Sequence, residues 1–255
     1  ETGQTIISGM GELHLEVLTD RLKREFNIEC NRGTPQVAYK EAVSSTVVHR
    51  EIYKKQTGGK GRFADITVEI GPAEGEERGL QFTDGTTGGV LSNEFVRAVE
   101  KGFKSAMMNG VLAGFQMENL RVRLIDGSTH PVDSDAMSFE AAAGMAFREA
   151  CKKAVPVLLE PIMKVVVTTP DEYVGEVSSD LNKKRGQMEG ISSVNNLQEI
   201  RARAPLAEMF GYVTTLRTLT SGRGNANLEF SHYAKLPKDI LEEVLYKVKG
   251  YVVNY

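Results

Sequence analysis

Extended and helical segments alternate near the end of the chain in an order that few folds accommodate. The predicted segments are an apolar, β-branched strand at 162–168, a helix at about 175–185, an extended stretch near 199–204, a helix at about 207–216 and an extended stretch near 227–230. We interpret the order as β-α-β-β-α-β, which predicts a ferredoxin-like domain. A closing amphipathic helix is predicted over 239–249.

The region before this domain has a different α+β pattern. Alternating residues predict strands at 63–70 and 120–125, and the spacing of apolar residues predicts helices at 93–108 and about 135–153. Ser134 is the predicted N-cap of the second helix. Small residues inside that helix favour close packing of a neighbouring element.

A chain of 255 residues exceeds the usual size of one domain, so we expect two domains and part of a third. The first segment, 1–43, predicts a strand at 5–8, a helix and a strand at 37–43, which are too few to bury their apolar faces alone. The chain starts at Glu1 and has no signal-peptide pattern. We therefore expect a piece of a larger cytoplasmic protein.

Two loops carry the residues that are suited to RNA. The first, over 53–62, contains Lys54, Lys55, Lys60 and Arg62 with the glycines Gly58, Gly59 and Gly61 and no acidic residue. The second, over 126–134, carries Thr129 and His130 directly before the helix at about 135–153. Lysine and arginine neutralise phosphates, and an imidazole can stack on a base or form hydrogen bonds with it. Together the loops predict a basic tip that contacts RNA.

Both loops also have interpretations that do not involve RNA. A glycine-rich hairpin with solvated lysines explains the first loop without any function, and that loop lacks the spacing of a nucleotide-binding phosphate loop. Ser128, His130 and Asp133 are the residue types of a hydrolase triad, but no nucleophile elbow accompanies them. The net charge of -3 argues against general nucleic-acid binding, so the local field of the loops carries the prediction.

Three motifs resemble one protein family. They are GQTIISGMGELHLE at 3–16, VLLEPIM at 157–163 and PLAEMFGY at 205–212. The chain is similar over essentially its whole length to the bacterial elongation factor G family.

The resemblance implies an α+β fold in four parts. Residues 1–43 are the second, ferredoxin-like half of domain III, and 44–157 are domain IV, a ribosomal-protein-like domain with a left-handed β-α-β crossover. Residues 158–240 are the ferredoxin-like domain V, and 241–255 are a C-terminal helix and tail.

The resemblance also implies the site residues. It places Thr129, His130 and the cationic glycine loop at the domain IV tip, which enters the decoding centre of the small ribosomal subunit. It makes domain V a surface for the factor-binding RNA of the large subunit, where the candidate residues are Lys183, Lys184, Arg185 and Arg223. No catalytic or metal-binding residue is expected in this chain.

The implied function is the ribosome-binding part of a GTPase that promotes the translocation of tRNA and mRNA and assists ribosome recycling. The implied partners are the ribosome, tRNA, mRNA and ribosome recycling factor, with no membrane and a monomeric chain. GTP and Mg²⁺ would bind a domain outside this chain, so the chain itself is not expected to be an enzyme. Alternatives are a ribosomal protection protein, a recycling-specialised or slow-growth paralogue, and, from other classes, an independent RNA-binding module or a hydrolase.

Overall fold

The computed structural model describes residues 5–7, 9, 12–29, 33, 35–56, 61–75 and 79–249. The strands are β1 (Lys40–Val43), β2 (Val47–Lys55), β3 (Arg62–Pro72), β4 (Leu80–Asp84), β5 (Leu120–Ser128), β6 (Pro156–Thr169), β7 (Gln187–Val194), β8 (Leu197–Pro205) and β9 (Asn225–Lys235). The helices are α1 (Glu12–Phe26), α2 (Asn93–Ala106), α3 (Ala136–Lys153), α4 (Val174–Lys183), α5 (Leu206–Met209), α6 (Tyr212–Leu219) and α7 (Lys238–Lys249).

The chain divides into two compact units. Unit 1 comprises residues Glu1–Ala38 and Glu160–Ala234, and unit 2 comprises Tyr39–Leu159 and Lys235–Tyr255. The strand β6 begins in unit 2, where its first four residues pair with β1, and continues into unit 1. The domain limits given in the sequence analysis stay predictions.

Unit 2 is built on a four-stranded sheet with the order β2-β3-β5-β4. The pairs β2–β3 and β3–β5 are antiparallel, whereas β4 and β5 are parallel and are connected through α2. The strand β4 is absent from the sequence predictions. A parallel β-α-β crossover is thus present, and its left hand stays a prediction.

Two helices cover this sheet and form the core of unit 2. The helices α2 and α3 pack on each other, and α3 also packs on β2 and β3. Side chains from the sheet and both helices are buried together, among them Ile66, Ile70, Leu124, Phe103, Phe139 and Phe147. The helices approach closely at Gly102, where an added Cβ would lie 2.6 Å from the carbonyl oxygen of Glu140. The predicted close packing on the small residues of α3 is therefore confirmed.

The C-terminal helix α7 also belongs to unit 2. Its residues Leu241, Val244 and Leu245 pack with Leu112 and Leu158. The loop that carries Leu112 is held by the buried carboxylate of Glu41, which accepts hydrogen bonds from the main-chain N–H groups of Leu112 at 2.7 Å, Ala113 at 2.7 Å and Phe115 at 3.0 Å.

Cys151 is a buried free thiol whose pKa is raised to about 12 by burial. Cys30 lies outside the described residues.

Unit 1 has the predicted β-α-β-β-α-β order, formed by β6, α4, β7, β8, α6 and β9. The strand β8 pairs antiparallel with β6 and with β7, and β9 pairs with β6. The sheet order β9-β6-β8-β7 is that of a ferredoxin-like domain. The predicted second helix is divided into α5 and α6 at Gly211, whose φ of 73° lies in the left-handed region.

The first segment differs from its predicted secondary structure. Residues 5–7 form no strand, and Ser8 lies outside the described residues. The strand predicted at 37–43 is limited to β1, which pairs within unit 2. The helix α1 is present, and Val17, Phe26 and the following Ile28 are at least half exposed. This exposure agrees with the prediction that the segment cannot bury its apolar faces alone.

Candidate RNA-contacting tip

The two predicted RNA-contacting loops lie side by side at one edge of unit 2. Because β3 pairs with both β2 and β5, the end of the β2–β3 hairpin and the end of β5 reach the same edge of the sheet. The main-chain N–H of Phe63, on β3, donates to the carbonyl oxygen of Asp133, in the loop after β5, at 2.8 Å. We call the described residues of these loops, 54–56, 61–63 and 128–135, the tip.

Asp133 and Ser134 join the two loops. The carboxylate of Asp133 accepts a hydrogen bond from the main-chain N–H of Gly61 at 3.0 Å. The hydroxyl of Ser134 donates to the carbonyl oxygen of Phe63 at 2.9 Å and accepts from the main-chain N–H of His130 at 2.8 Å. A side chain at position 61 would meet the Asp133 carboxylate, since an added Cβ would lie 3.0 Å from its Oδ2.

The prediction that Ser134 is the N-cap of α3 is wrong. The N-cap is Asp135, which has an extended backbone and whose carboxylate accepts from the N–H of Ser138 at 2.7 Å. A carboxylate and a hydroxyl are both good N-cap groups. Ser134 is instead used in the contacts between the loops.

His130 is the exposed centre of the tip. Its side chain is 51% exposed. Its Nδ1 lies 3.2 Å from the main-chain nitrogen of Asp133 and 3.4 Å from that of Val132. Its ring packs edge-on against Phe63 with 6.3 Å between the centroids. One side of the imidazole is therefore held by the protein, and the remainder faces solvent.

A buried carboxylate supports the tip from within the sheet. Asp65 is 8% exposed and accepts from Arg50 Nε at 3.0 Å, Arg50 Nη2 at 2.7 Å and the Ser128 hydroxyl at 3.0 Å. The hydrogen bonds from Arg50 lower the pKa of Asp65; burial opposes this change and the bond from Ser128 adds to it. The sequence predictions missed this cluster. Only the strand register, which pairs Asp65 with Ser128, could have indicated it.

The geometry disfavours the hydrolase interpretation. The hydroxyl of Ser128 donates to Asp65 and makes no hydrogen bond with His130. The His130 Nδ1 to Asp133 Oδ2 distance of 3.4 Å is longer than a normal hydrogen bond. A triad requires the serine to be hydrogen-bonded to the histidine that acts as its base. Ser128, His130 and Asp133 do not form that arrangement.

The cations of the tip have no ionic partner in the described part of the chain. Lys54 and Lys55 at the end of β2 and Arg62 at the start of β3 are exposed, and the register places Lys55 opposite Arg62. Thr129 is exposed beside His130. The remaining predicted tip residues, Gly58, Gly59 and Lys60, lie outside the described residues.

The predicted cations of unit 1 have different surroundings. Arg185, just after α4, has a φ of 60° and forms a two-pronged ion pair with Glu160, whose side chain is only 3% exposed. Arg223 pairs with Glu172 at 2.5 Å, and its guanidinium lies 4.8 Å from the centre of the Tyr173 ring. The hydrogen bond to the Tyr173 hydroxyl is the main cause that raises the pKa of Arg223. Lys183 and Lys184 have no ion pair with any described residue.

The described residues contain neither a candidate membrane-spanning helix nor a candidate metal site. None of their helices has the length and apolar character needed to span a membrane. Within the same residues, no three His, Cys, Asp or Glu side chains are grouped so that they could hold a metal ion.

Comparison with protein families gives three matches in chain order. Residues 1–34 match the family model described as elongation factor G, domain III. Residues 35–155 match elongation factor G, domain IV, and residues 157–244 match the elongation factor G C-terminus. The match to domain IV contains both loops of the tip.

Individual relatives agree with these matches. Over 98% of the chain, it is 57% identical to an elongation factor G from Amoebophilus asiaticus, and over its full length it is 54% identical to one from Cytophaga hutchinsonii. A crystal structure of a protein from Thermus thermophilus matches 98% of the chain with a TM-score of 0.89 and 37% identity, and the match covers 37% of that protein. The chain spans 35% and 36% of the length of the two curated relatives. It belongs to the elongation factor G family and corresponds to a C-terminal portion of its members, with matches to domain III, domain IV and the C-terminus.

Proposed function

We propose that this chain is the RNA-contacting part of a translocation factor, and that it acts on the ribosome through the tip of unit 2. The observation that carries the proposal is the composition of the tip. Exposed His130 and the cations Lys54, Lys55 and Arg62 lie at one edge, and no described carboxylate forms an ion pair with any of the three cations. Membership of the elongation factor G family supports the same function.

The tip is suited to contact RNA that is already held by the ribosome. Its cations can neutralise phosphates, while the hydrogen bonds of Asp133 and Ser134 keep the two loops in a fixed arrangement. A rigid support reduces the entropy that is lost on binding. Translocation would be promoted if the state with moved tRNA and mRNA offers this surface better contacts than the earlier state does.

The partners follow from this proposal. The tip would enter the decoding centre of the small subunit beside tRNA and mRNA, and unit 1 would contact the factor-binding RNA of the large subunit. In unit 1, Lys183 and Lys184 are better candidates for phosphate contacts than Arg185, because Arg185 is already paired with Glu160. Assistance in recycling, with ribosome recycling factor, is part of the proposal, as is a cytoplasmic location.

GTP and Mg²⁺ are assigned to portions of the relatives that this chain does not span. The described residues offer no group of three metal-ligating side chains that would suit Mg²⁺. The contribution of this chain is therefore contact and positioning, and the energy of nucleotide hydrolysis would be supplied by the rest of the factor.

The test compares the intact factor with its His130→Ala variant on pre-translocation ribosomes. We expect the rate of translocation to fall about tenfold, which corresponds to about one hydrogen bond in the transition state. Ribosome affinity should change much less, since the cations of the tip and unit 1 are intact. Met145→Ala, an exposed change on α3 of the same unit, is the control. Equal losses of rate and affinity in His130→Ala would contradict a role at the tip.

The same assay separates translocation from ribosomal protection. A translocation factor moves tRNA and mRNA on ribosomes that carry no antibiotic. A protection protein would leave their rate of movement unchanged and would accelerate only the release of a bound antibiotic. The second outcome would replace the proposed function with the protection function.

A further inference from the structure

The contacts of the His130 ring indicate which of its nitrogens carries the proton. The main-chain N–H of Asp133 donates to Nδ1 at 3.2 Å, and that of Val132 makes a longer contact with the same nitrogen at 3.4 Å. We propose that the neutral ring of His130 carries its proton on Nε2, so that the tip presents one hydrogen-bond donor to an acceptor atom of RNA. The identity of the ligand rests on the function proposed above, whereas the tautomer rests on the geometry alone.

The main-chain hydrogens make Nδ1 an acceptor. The position of an amide hydrogen is fixed by the peptide plane, so neither N–H can turn away from the ring. A neutral imidazole has one nitrogen that donates and one that accepts, and the hydrogen bond made by one nitrogen determines the state of the other. A proton on Nδ1 would face the hydrogens of Val132 and Asp133 directly.

The Asp133 carboxylate is the group that competes with this arrangement, because it would attract a proton to Nδ1. Its Oδ2 is 3.4 Å from Nδ1, as far away as the Val132 nitrogen and farther than the Asp133 nitrogen. Its Oδ1 already accepts from the N–H of Gly61 at 3.0 Å. The shorter contact to Nδ1, at 3.2 Å, is the one from the main-chain nitrogen of Asp133.

The opposite nitrogen, Nε2, is available to a ligand. It has no hydrogen-bond partner among the described residues, and the side chain is 51% exposed. The edge-on contact with Phe63 limits rotation of the ring. A donor held in this way selects an acceptor, which in RNA is a phosphate oxygen, a ribose hydroxyl oxygen, or a carbonyl oxygen or ring nitrogen of a base.

The tautomer can be measured without the ribosome. In the ¹⁵N-labelled chain, at a pH high enough for the imidazole rings to be neutral, protonated and bare ring nitrogens of histidine resonate at well separated frequencies. The His130→Gln variant identifies the signals of His130 among the four histidines. We expect a bare Nδ1 and a protonated Nε2. A proton on Nδ1 of the neutral ring would overturn the proposal.

The donor role is tested by three substitutions in the intact factor. The amide nitrogen of glutamine can be placed near the position of Nε2, whereas that of asparagine reaches only the position of Nδ1. We expect His130→Gln to keep the translocation rate within about threefold of the wild type, and His130→Asn and His130→Ala to slow it about tenfold. Retention of the rate by Asn with loss in Gln would overturn the donor role.

The nitrogen frequencies test the tautomer and the translocation rates test the proposed function, so either one can be contradicted without the other. If none of the three substitutions slows translocation, the proposed function of the tip is wrong, and the tautomer is still decided by the nitrogen frequencies. If translocation is slowed but Nδ1 carries the proton, the tip is functional and the present inference is wrong. To distinguish acceptors, wild type and His130→Gln are compared on mRNA whose codon nucleotides lack the 2′-hydroxyl. An unchanged rate excludes the ribose and leaves phosphate or base.

Discussion

The cations of the tip and the predicted RNA-contacting cations of unit 1 are similar in residue type and different in surroundings. Lys54, Lys55 and Arg62 project from strand ends without a described ionic partner. Arg185 contacts the buried Glu160, and Arg223 contacts Glu172 and Tyr173. The comparison teaches that a cluster of basic residues in a sequence indicates positive charge but does not show whether each cation is available to bind a phosphate. A cation that already compensates a buried carboxylate cannot leave it for a phosphate without a large cost.

The largest expected effect is on stability, in unit 1. Arg185→Ala should lower the free energy of unfolding by about 3–5 kcal/mol, because Glu160 would be left as a buried charge without a partner. Chemical denaturation of the chain measures it. Lys183→Ala, two residues earlier and exposed, is the matched control and should change stability by no more than about 0.5 kcal/mol. If Arg185→Ala leaves stability unchanged and weakens ribosome binding, the contrast between the two groups of cations is wrong.

A smaller loss of stability is expected from the Arg50–Asp65–Ser128 cluster, which supports the tip from within the sheet. Asp65→Asn should lower the free energy of unfolding by about 1–2 kcal/mol at pH 7, because the hydrogen bonds from Arg50 and Ser128 lose their charged acceptor. The exposure of the Arg50 side chain limits this loss. The pKa of Asp65 is lower in the folded state than its ordinary value of 3.8. The contribution of Asp65 to stability is therefore complete above pH 3.8, and it is lost as the pH falls from there through the pKa of the folded state. The stability difference between wild type and variant should therefore shrink below about pH 4. A difference that grows on acidification would contradict the assignment.

The smallest stability effect concerns the hydrogen bonds between the loops. Ser134→Ala removes the bond to Phe63 and the bond from the His130 N–H, at a cost of about 1 kcal/mol in these partly exposed positions. Hydrogen exchange at the His130 amide should become faster, because that N–H loses its acceptor. Ser193→Ala, an exposed serine on β7 with no side-chain hydrogen bond among the described residues, is the control. Unchanged exchange at His130 would show that Ser134 does not hold the loop.

Much of the fold could be predicted because its elements have clear periodicity. In unit 1, the strands β6 and β8 and the helices α4 and α6 follow from apolar spacing that matches burial, as do α2, α3 and α7 in unit 2. The strand β7 was given no residues in the prediction, because nearly all of its side chains are exposed. The strand β4 was missed because it is short and only partly buried. The strand predicted at 5–8 is wrong over residues 5–7, since an apolar run alone does not supply a pairing partner.

The site was predictable in composition but not in its contacts. The sequence placed His130 and the cationic loop together, and the structure brings them to one edge of unit 2. Ser134 was predicted as the N-cap in place of Asp135, because both are good N-cap residues and only the position of Phe63 decides between them. The Arg50–Asp65–Ser128 cluster depends on strand register between residues up to 63 positions apart, which one sequence does not reveal. That these residues contact RNA stays a proposal.

The salt dependence of ribosome binding by the intact factor tests the central claim most directly. In the Lys54→Ala/Lys55→Ala/Arg62→Ala variant, the slope of log K against log salt should become shallower by about 2–3, or roughly 0.7–0.9 for each phosphate that is no longer neutralised. The control, Lys101→Ala/Lys104→Ala/Lys152→Ala, removes the same charge from unit 2 at lysines that already pair with carboxylates, and its slope should stay close to that of the wild type. Equal slopes for the two triple variants would contradict the claim that the unpaired cations of the tip contact RNA.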